Sequence, residues 1–271
     1  MTLPIYELFA VRYATRAARR AANFLGGDPH DAAMPMDYFV WAARSPERTI
    51  VIDTGFTRET AVRRKRDYLR DPVEGLTALG IDSASIRDVV ITHLHYDHVG
   101  GFRSFPNAQF HVQDDEMRFA TGRYMCHTRF NHGYDVADVE GMIRLALSGR
   151  VTFHKGEAQL APGISLHRIG GHTAGLQCVR VHTRRGWVVV ASDTSHYYEH
   201  FESGRCFTTV FDVGATIEGY DTLRTLADSS AHVVPGHDPL VMKRYPAARD
   251  DLRYIAVRLD VAPAERLQES T

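Results

Sequence analysis

The chain has 271 residues, 44% of them apolar and 24% charged, with 32 basic residues against 33 acidic ones. That length buries a sizeable core as one large domain or two small ones, and the composition is that of an ordinary globular protein. The near-zero net charge argues against a nucleic-acid partner, which calls for a basic excess to meet phosphate, and no apolar run is long enough to span a membrane.

The first stretch, MTLPIYELFAVRYATRAARR, has no long apolar core, no small-residue cleavage site, and arginines that follow its short apolar patch. No signal peptide is read from it. The three cysteines, Cys126, Cys178 and Cys206, are odd in number, widely spaced and in no C-x-x-C arrangement. Buried free thiols in a reducing cytoplasm are therefore expected rather than a disulfide framework. YFVWAA (38–43) and TIVIDTG (49–55) predict two strands around the polar turn RSPER. RETAVRRKRDYLR predicts a charged, solvated helix, and a second helix over 72–79 ends at Gly80 as its C-cap. DVVITH predicts a buried strand, AQFHVQ another, and DDEMRFA a helix with acids in its first turn.

Residues 121–149 are a mixed segment rich in His, Tyr, Phe and Arg, as a cap over a site would be. Beyond it, ISLHRIGG, LQCVRVHT, GWVVVASD and AHVVPGH alternate or run apolar as strands do. No repeat and no Pro/Gly/Ser linker divides the chain, so a single domain over 1–271 is expected, with a cap or insertion at about 121–149. The order of strand blocks and helices suggests two sheets packed face to face with helices outside.

The sharpest signal is ITHLHYDHVGG (91–101), which places His93, His95, Asp97 and His98 within six residues after an apolar run. By residue frequencies, H-x-H-x-D-H arises by chance in roughly a few in a thousand chains of this composition. In an extended segment His93 and His95 point the same way, and the following turn can swing Asp97 and His98 toward a neighbouring point. Further ligand candidates follow other apolar runs beside small residues: His172 in GGHTAG, Asp193 in ASDTSH and His237 in VPGHDP. Alone, a histidine beside glycine is more often a turn residue. Together these residue types are those of a zinc-like metal site.

The order H-x-H-x-D-H, G-H-T, S-D after a Val-rich strand and a late P-G-H resembles the metallo-β-lactamase superfamily. Asp53-Thr54-Gly55 resembles its early D-T-G turn, and the likeness runs from roughly residue 35 to 240. It implies an α/β fold, a four-layer αβ/βα sandwich of two mixed sheets with helices outside. It further implies one metal on His93, His95 and His172, a second on Asp97, His98 and His237, and Asp193 as the bridge. The implied cofactor is a pair of divalent ions, zinc by ligand type, with manganese or iron accepted by similar sites. Two ions about 3.5–4 Å apart share a water, lower its pKa and polarise the carbonyl it attacks. Asp97 would then be ligand and acid/base at once.

Within the superfamily, secreted β-lactamases usually carry a cysteine at the place of Asp193, and diiron oxygen reducers a glutamate at that of His95. Glyoxalase II-type thioesterases add a long helical domain after the last ligand, where only 34 residues (271 minus 237) follow here. Nuclease branches add large domains for which there is no room. HLHYDHVGG and GGHTAGLQ resemble the lactonase branch, namely N-acyl homoserine lactonases and the related 4-pyridoxolactonase, whose partner is a small lactone. That branch carries a tyrosine three residues after the bridging aspartate, hydrogen-bonded to the substrate carbonyl. Here His196 stands there and Tyr197 follows, so either is a candidate donor.

Phe207 is a candidate apolar substrate wall, with core packing as its other reading. His127, Arg129 and His132 are candidates for the pocket lining or for a solvated loop. His111, His154, His167, His182, His200 and His232 are read as structural or surface residues. The competing functions are a thioesterase of the glyoxalase II type and a non-catalytic, metal-stabilised sandwich. The sequence leaves the oligomeric state open.

Overall fold

The structure is a computed structural model and describes residues 2–264. The first sheet takes β1 (Glu7–Arg16), β2 (Met36–Arg44), β3 (Thr49–Ile52), β4 (Asp67–Tyr68), β5 (Asp88–Val90), β6 (Gln109–Gln113) and β7 (Val151–His154). The second takes β8 (Glu157–Ala161), β9 (Ile164–Arg168), β10 (Gln177–Thr183), β11 (Gly186–Ser192) and β12 (Val233–Pro235), and β13 (Ala256–Arg258) returns to the first. The strand orders are β13-β1-β2-β3-β5-β6-β7, with β4 on β1, and β12-β11-β10-β9-β8. Pairing is antiparallel through β13, β1, β2 and β3, then parallel from β3 to β7; β11 and β12 form the parallel pair of the second sheet.

Alternation along β2 shows how the layers are made. Phe39, Trp41 and Ala43 point into a core shared with Leu166, Val181 and Val188 of the second sheet. Tyr38, Val40 and Ala42 point to the other face, where they join Leu76 of helix α3 and its neighbours. A strand buried on both faces reads as a continuous apolar run, which is why YFVWAA was so legible. The helices are α1 (Arg20–Asn23), α2 (Arg58–Arg64), α3 (Pro72–Ala78), α4 (Tyr96–Val99), α5 (Asp114–Ala120), α6 (Thr128–Asn131), α7 (Val136–Leu147), α8 (Tyr198–Ser203), α9 (Val213–Leu226) and α10 (Leu240–Arg244). Tyr220 and Leu223 of α9 pack with the second sheet, which completes helices outside both sheets.

Several expected elements differ in extent. The charged helix stops at Arg64, because Lys65 turns left-handed (φ 55°) and Asp67–Tyr68 pairs with β1. The helix at 72–79 is α3, ended by Leu79 with Gly80 at φ 77°. β1, β7, β8 and β13 lie outside the predicted strands. Residues 121–149 contain α6 and α7, in keeping with the helical or looped character expected of the segment. No described helix is long and apolar enough to cross a membrane.

Cys126 is exposed, Cys178 and Cys206 are buried, and none is bonded to another. Burial pushes the Cys178 thiol up to about 12. A thiol reagent should therefore label one cysteine quickly in the native protein and all three after unfolding. Mass spectrometry showing an intramolecular disulfide would contradict this.

Candidate metal centre

The site forms where strands from both sheets end at one edge. His93 and His95 follow β5, and the one-turn helix α4 carries Asp97 and His98. His172 lies between β9 and β10, Asp193 follows β11 and His237 follows β12. These are turns at strand ends, where side chains from different strands can converge. The D-T-G turn locks α4 in place: Thr54 N–H and Oγ1 both donate to the His98 carbonyl (2.7 and 3.0 Å).

The Asp193 carboxylate stands between two clusters. Its Oδ2 lies 3.2 Å from His172 Nε2 and 3.8 Å from His93 Nε2, and His95 Nδ1 is 2.9 Å from that same His172 nitrogen. Its Oδ1 lies 2.9 Å from His237 Nε2 and 3.4 Å from His98 Nε2, and Asp97 Oδ2 is 3.9 Å from each of those nitrogens.

The proton positions follow from the partners on the far side of each ring. A carbonyl only accepts, so His172 Nδ1 donates to Thr209 O (2.6 Å) and His237 Nδ1 donates to Asp37 O (2.8 Å). His98 Nδ1 donates to Asp53 Oδ2 (2.7 Å). In the neutral rings the nitrogens turned inward are then lone pairs, aimed at one another and at a carboxylate. Asp193 Oδ1 and His98 Nε2 are buried without any hydrogen-bond partner. Buried acceptors facing acceptors are strongly unfavourable unless a cation lies among them. The residues present therefore fit divalent metals, four donors on one side and three plus the shared carboxylate on the other.

Burial pushes His93, His95 and His172 below the ordinary histidine range, leaving them neutral as metal ligands must be. Burial also opposes protonation of His98 and His237, but the neighbouring carboxylates, Asp193 first, outweigh it and raise both. Asp193 is the converse. Burial favours its neutral form, yet His237, His196 and His98 hold it well below the usual carboxylate range.

A second ring of residues orients the ligands. Asp53, itself at φ 59°, accepts from Thr92 N–H (2.7 Å), from Thr92 Oγ1 (2.8 Å) and from His98. Glu116 of α5 is fully buried. Its Oε1 accepts from Leu94 N–H (2.9 Å) and the Tyr134 hydroxyl (3.0 Å), and its Oε2 from Thr173 Oγ1 (2.6 Å) and Gly175 N–H (3.2 Å). It thus ties the His93–His95 segment of one sheet to the His172 loop of the other. The sequence marked Asp53 only as a turn and Glu116 only as one of three acids at a helix start. The signal for Asp53 lay in the D-T-G motif, and none separated Glu116 from its solvated neighbours.

The remaining candidates separate clearly. His196 is at the centre: its Nε2 lies 3.0 Å from Asp193 Oδ2, and its ring stacks on Phe207 at 3.8 Å. Phe207 is buried and its ring also lies 5.2 Å from that of His172, so it walls the site. Tyr197 is a correction. Its hydroxyl accepts from Asn23 Nδ2 (3.0 Å) and donates toward the Met34 and Pro35 carbonyls (3.2 Å each), so its proton is committed to the scaffold. His127 and His132 are exposed on the cap, and Arg129 donates to Thr208 O. None of the three belongs to the metal-ligating groups. His111 pairs with Asp88 and His154, and His167, His182, His200 and His232 bond to scaffold groups.

A sandwich that gathers seven imidazole and carboxylate ligands at one edge of its two sheets is a metal-binding domain of a recognisable class. Residues 34–248 match the family model of the metallo-beta-lactamase superfamily, and the chain belongs to that superfamily. It is 27% identical to the N-acyl homoserine lactonase AttM of Azorhizobium caulinodans over 79% of this chain and 85% of that protein. Among solved structures it resembles a quorum-quenching N-acyl homoserine lactone lactonase (TM-score 0.74, 20% identity, 89% of this chain and 95% of that one). It also resembles AidC, a dizinc quorum-quenching lactonase (TM-score 0.68, 18% identity, 88% and 90%).

Elemental analysis of the purified protein should give close to two metals per chain, and Asp193→Ala should lower both occupancies together, since one carboxylate faces both clusters. Loss of a single metal in that variant would show that Asp193 is not shared. Glu116→Ala leaves four buried donors without their acceptor, and should cost on the order of 3 kcal/mol or more in unfolding free energy. An unchanged melting temperature would contradict this.

Proposed function

We propose that this protein hydrolyses the ester bond of a lactone, with N-acyl homoserine lactones and related small lactones as the substrate class. The observation that carries the reading is the Asp193 carboxylate, with one oxygen turned to each cluster of imidazole and carboxylate groups. The kinship to proteins named as lactonases selects the lactone among possible esters. The first ion would sit on His93, His95, His172 and Asp193, the second on Asp97, His98, His237 and Asp193. The nitrogen-rich set suits zinc best, with manganese or iron as alternatives. When bound, such ions supply Lewis acidity toward an ester carbonyl and make water nucleophilic near neutral pH.

The chain's own residues do the rest. Asp97 is the most exposed of the ligands, with 11% of its side chain accessible. Its carboxylate is placed to take the proton of the attacking water and to return it to the ring oxygen as the ester C–O bond breaks. His196 carries a ring N–H directed at Asp193, a ligand rather than the scaffold. That donor is the group we assign to the substrate carbonyl, where negative charge grows during attack. Phe207 fixes the His196 ring by stacking and keeps water from that wall. The unpaired thiols support a reducing compartment, which we take to be the cytoplasm.

A panel of lactones and thioesters assayed with the metal-loaded protein tests this. Faster thioester than lactone turnover would replace the lactonase reading with a thioesterase one. His196→Ala should lower kcat/KM on lactones roughly tenfold with metal content retained, less than the 10²–10³ seen where a single donor acts alone. Tyr197→Phe should reduce stability by about 1 kcal/mol and leave turnover near wild type, because it loses scaffold hydrogen bonds only. A crippling Tyr197→Phe beside a silent His196→Ala would reverse the two roles.

A further inference from the structure

Two arginines close to the Tyr38–Tyr96 pair beside the centre, Arg16 and Arg66, have no ion pair among the described residues. The other six ligand residues are at most 5% exposed, so Asp97 marks the side on which the ions face solvent. Tyr96, between His95 and Asp97, is buried, with its hydroxyl 3.5 Å from that of Tyr38. The Tyr38 ring meets the His237 ring edge-on at 5.2 Å.

Arg66 reaches the same place from the end of α2. Its Nε donates to the Tyr96 hydroxyl (3.0 Å), and its guanidinium carbon is 6.0 and 5.9 Å from the Tyr38 and Tyr96 rings. Arg16 arrives from the end of β1. It pairs in register with Met36, two residues from Tyr38 on β2, so it shares a face with that tyrosine. Its Nε is buried without a hydrogen-bond partner. Its charge is felt at the hydroxyls of Tyr38 and Tyr197, where it opposes the burial that raises both phenols.

The Nε atoms of Arg12 and Arg64 also lack a hydrogen-bond partner, but these neighbouring arginines and Arg20 have acidic ones. Arg12 pairs with Asp37 (3.1 Å), Arg64 with Asp135 (3.3 Å) and Arg20 with Asp28 and Glu199 (2.9 and 2.7 Å). Neither Arg16 nor Arg66 has such an ion pair among the described residues. A half-buried guanidinium without a counter-ion is costly, and its planar fork matches a carboxylate or a phosphate.

We propose that Arg16 and Arg66 form an anion subsite beside the metal centre, so that the preferred substrates are lactones bearing a carboxylate or phosphate on the part outside the ring. This rests on the lactonase reading above and narrows it, because an N-acyl homoserine lactone is uncharged.

The test uses the metal-loaded protein and three matched γ-lactones that differ in one substituent: a neutral amide, a carboxylate and a phosphate. The readout is the ratio of kcat/KM for each charged lactone to that for the neutral one. We expect a ratio of about ten or more in the wild type, falling several-fold in Arg16→Gln and Arg66→Gln and partly restored in Arg16→Lys, as a charge-assisted contact requires. The larger of the two charged ratios identifies the anion. A wild-type ratio near one, or a ratio unchanged in both glutamine variants, overturns the subsite. If none of the three lactones is hydrolysed, the lactonase reading fails and the subsite is judged by calorimetric titration with succinate at fixed ionic strength. Its Kd should then weaken about tenfold in Arg16→Gln, and an equal Kd overturns the proposal.

Discussion

The constraint on which the rest of this structure depends is a buried carboxylate with no proton donor assigned to one of its oxygens. Asp193 Oδ1 faces His237 and His98, and Oδ2 faces His172 and His93. A folded chain does not hold such a set of acceptors together without something positive among them. The imidazoles cannot supply the missing protons from their far sides, because Thr209 O, Asp37 O and Asp53 take the Nδ1 hydrogens of three of them. The outer hydrogen bonds thus fix the orientation of these rings and turn the other nitrogen of each toward the Asp193 carboxylate.

The same logic explains why acids that never meet the ions are buried. Asp53 and Glu116 both lie at 0% exposure, and burial pushes both carboxyl groups up. Each is compensated by converging donors, and each donor belongs to a segment that carries ligands. Asp53 joins the end of β3 to Thr92 and His98; Glu116 joins Leu94 to Thr173 and Gly175. A side chain at Gly175 would collide with the Glu116 backbone, so the approach of the two loops is set by the absence of one. Rigidity at the ligands is thereby distributed over groups several positions away from the ions.

The seven side chains that converge at the site were legible because their chemistry is rare and their flanks are apolar strands ending in small residues. The two sheets were legible where a strand is buried on both faces, as in β2, or alternates, as in β9 and β10. What escaped was decided by tertiary context. β1 mixes Glu7, Arg12 and Arg16 with its apolar residues, and its role is fixed by partners at both margins, β2 and β13. The end of α2 depends on Tyr68 packing against Phe56 and on β4 pairing with β1, neither of which a helical charge pattern reveals. Tyr197 stood one residue from His196, but the backbone turn sends its hydroxyl to Met34 and Pro35. One-residue differences at a turn are invisible to motif spacing.

The pairing of β1 with β13 has a further meaning for how the chain is made. β4 meets β1 at Ala14 and Thr15 soon after β1 is made, but β13, which covers Phe9–Val11, emerges about 240 residues after the end of β1 (256 minus 16). At ~5–20 residues per second that interval is on the order of ten seconds or more. Throughout it, the Phe9–Val11 stretch of β1 lacks its β13 partner and presents unpaired N–H and C=O groups, a template for pairing with another nascent chain. Arg12, at the end of that stretch, is a charge of the kind that disfavours such pairing. Biosynthesis thus places its own demand on this short stretch, apart from anything the finished fold requires.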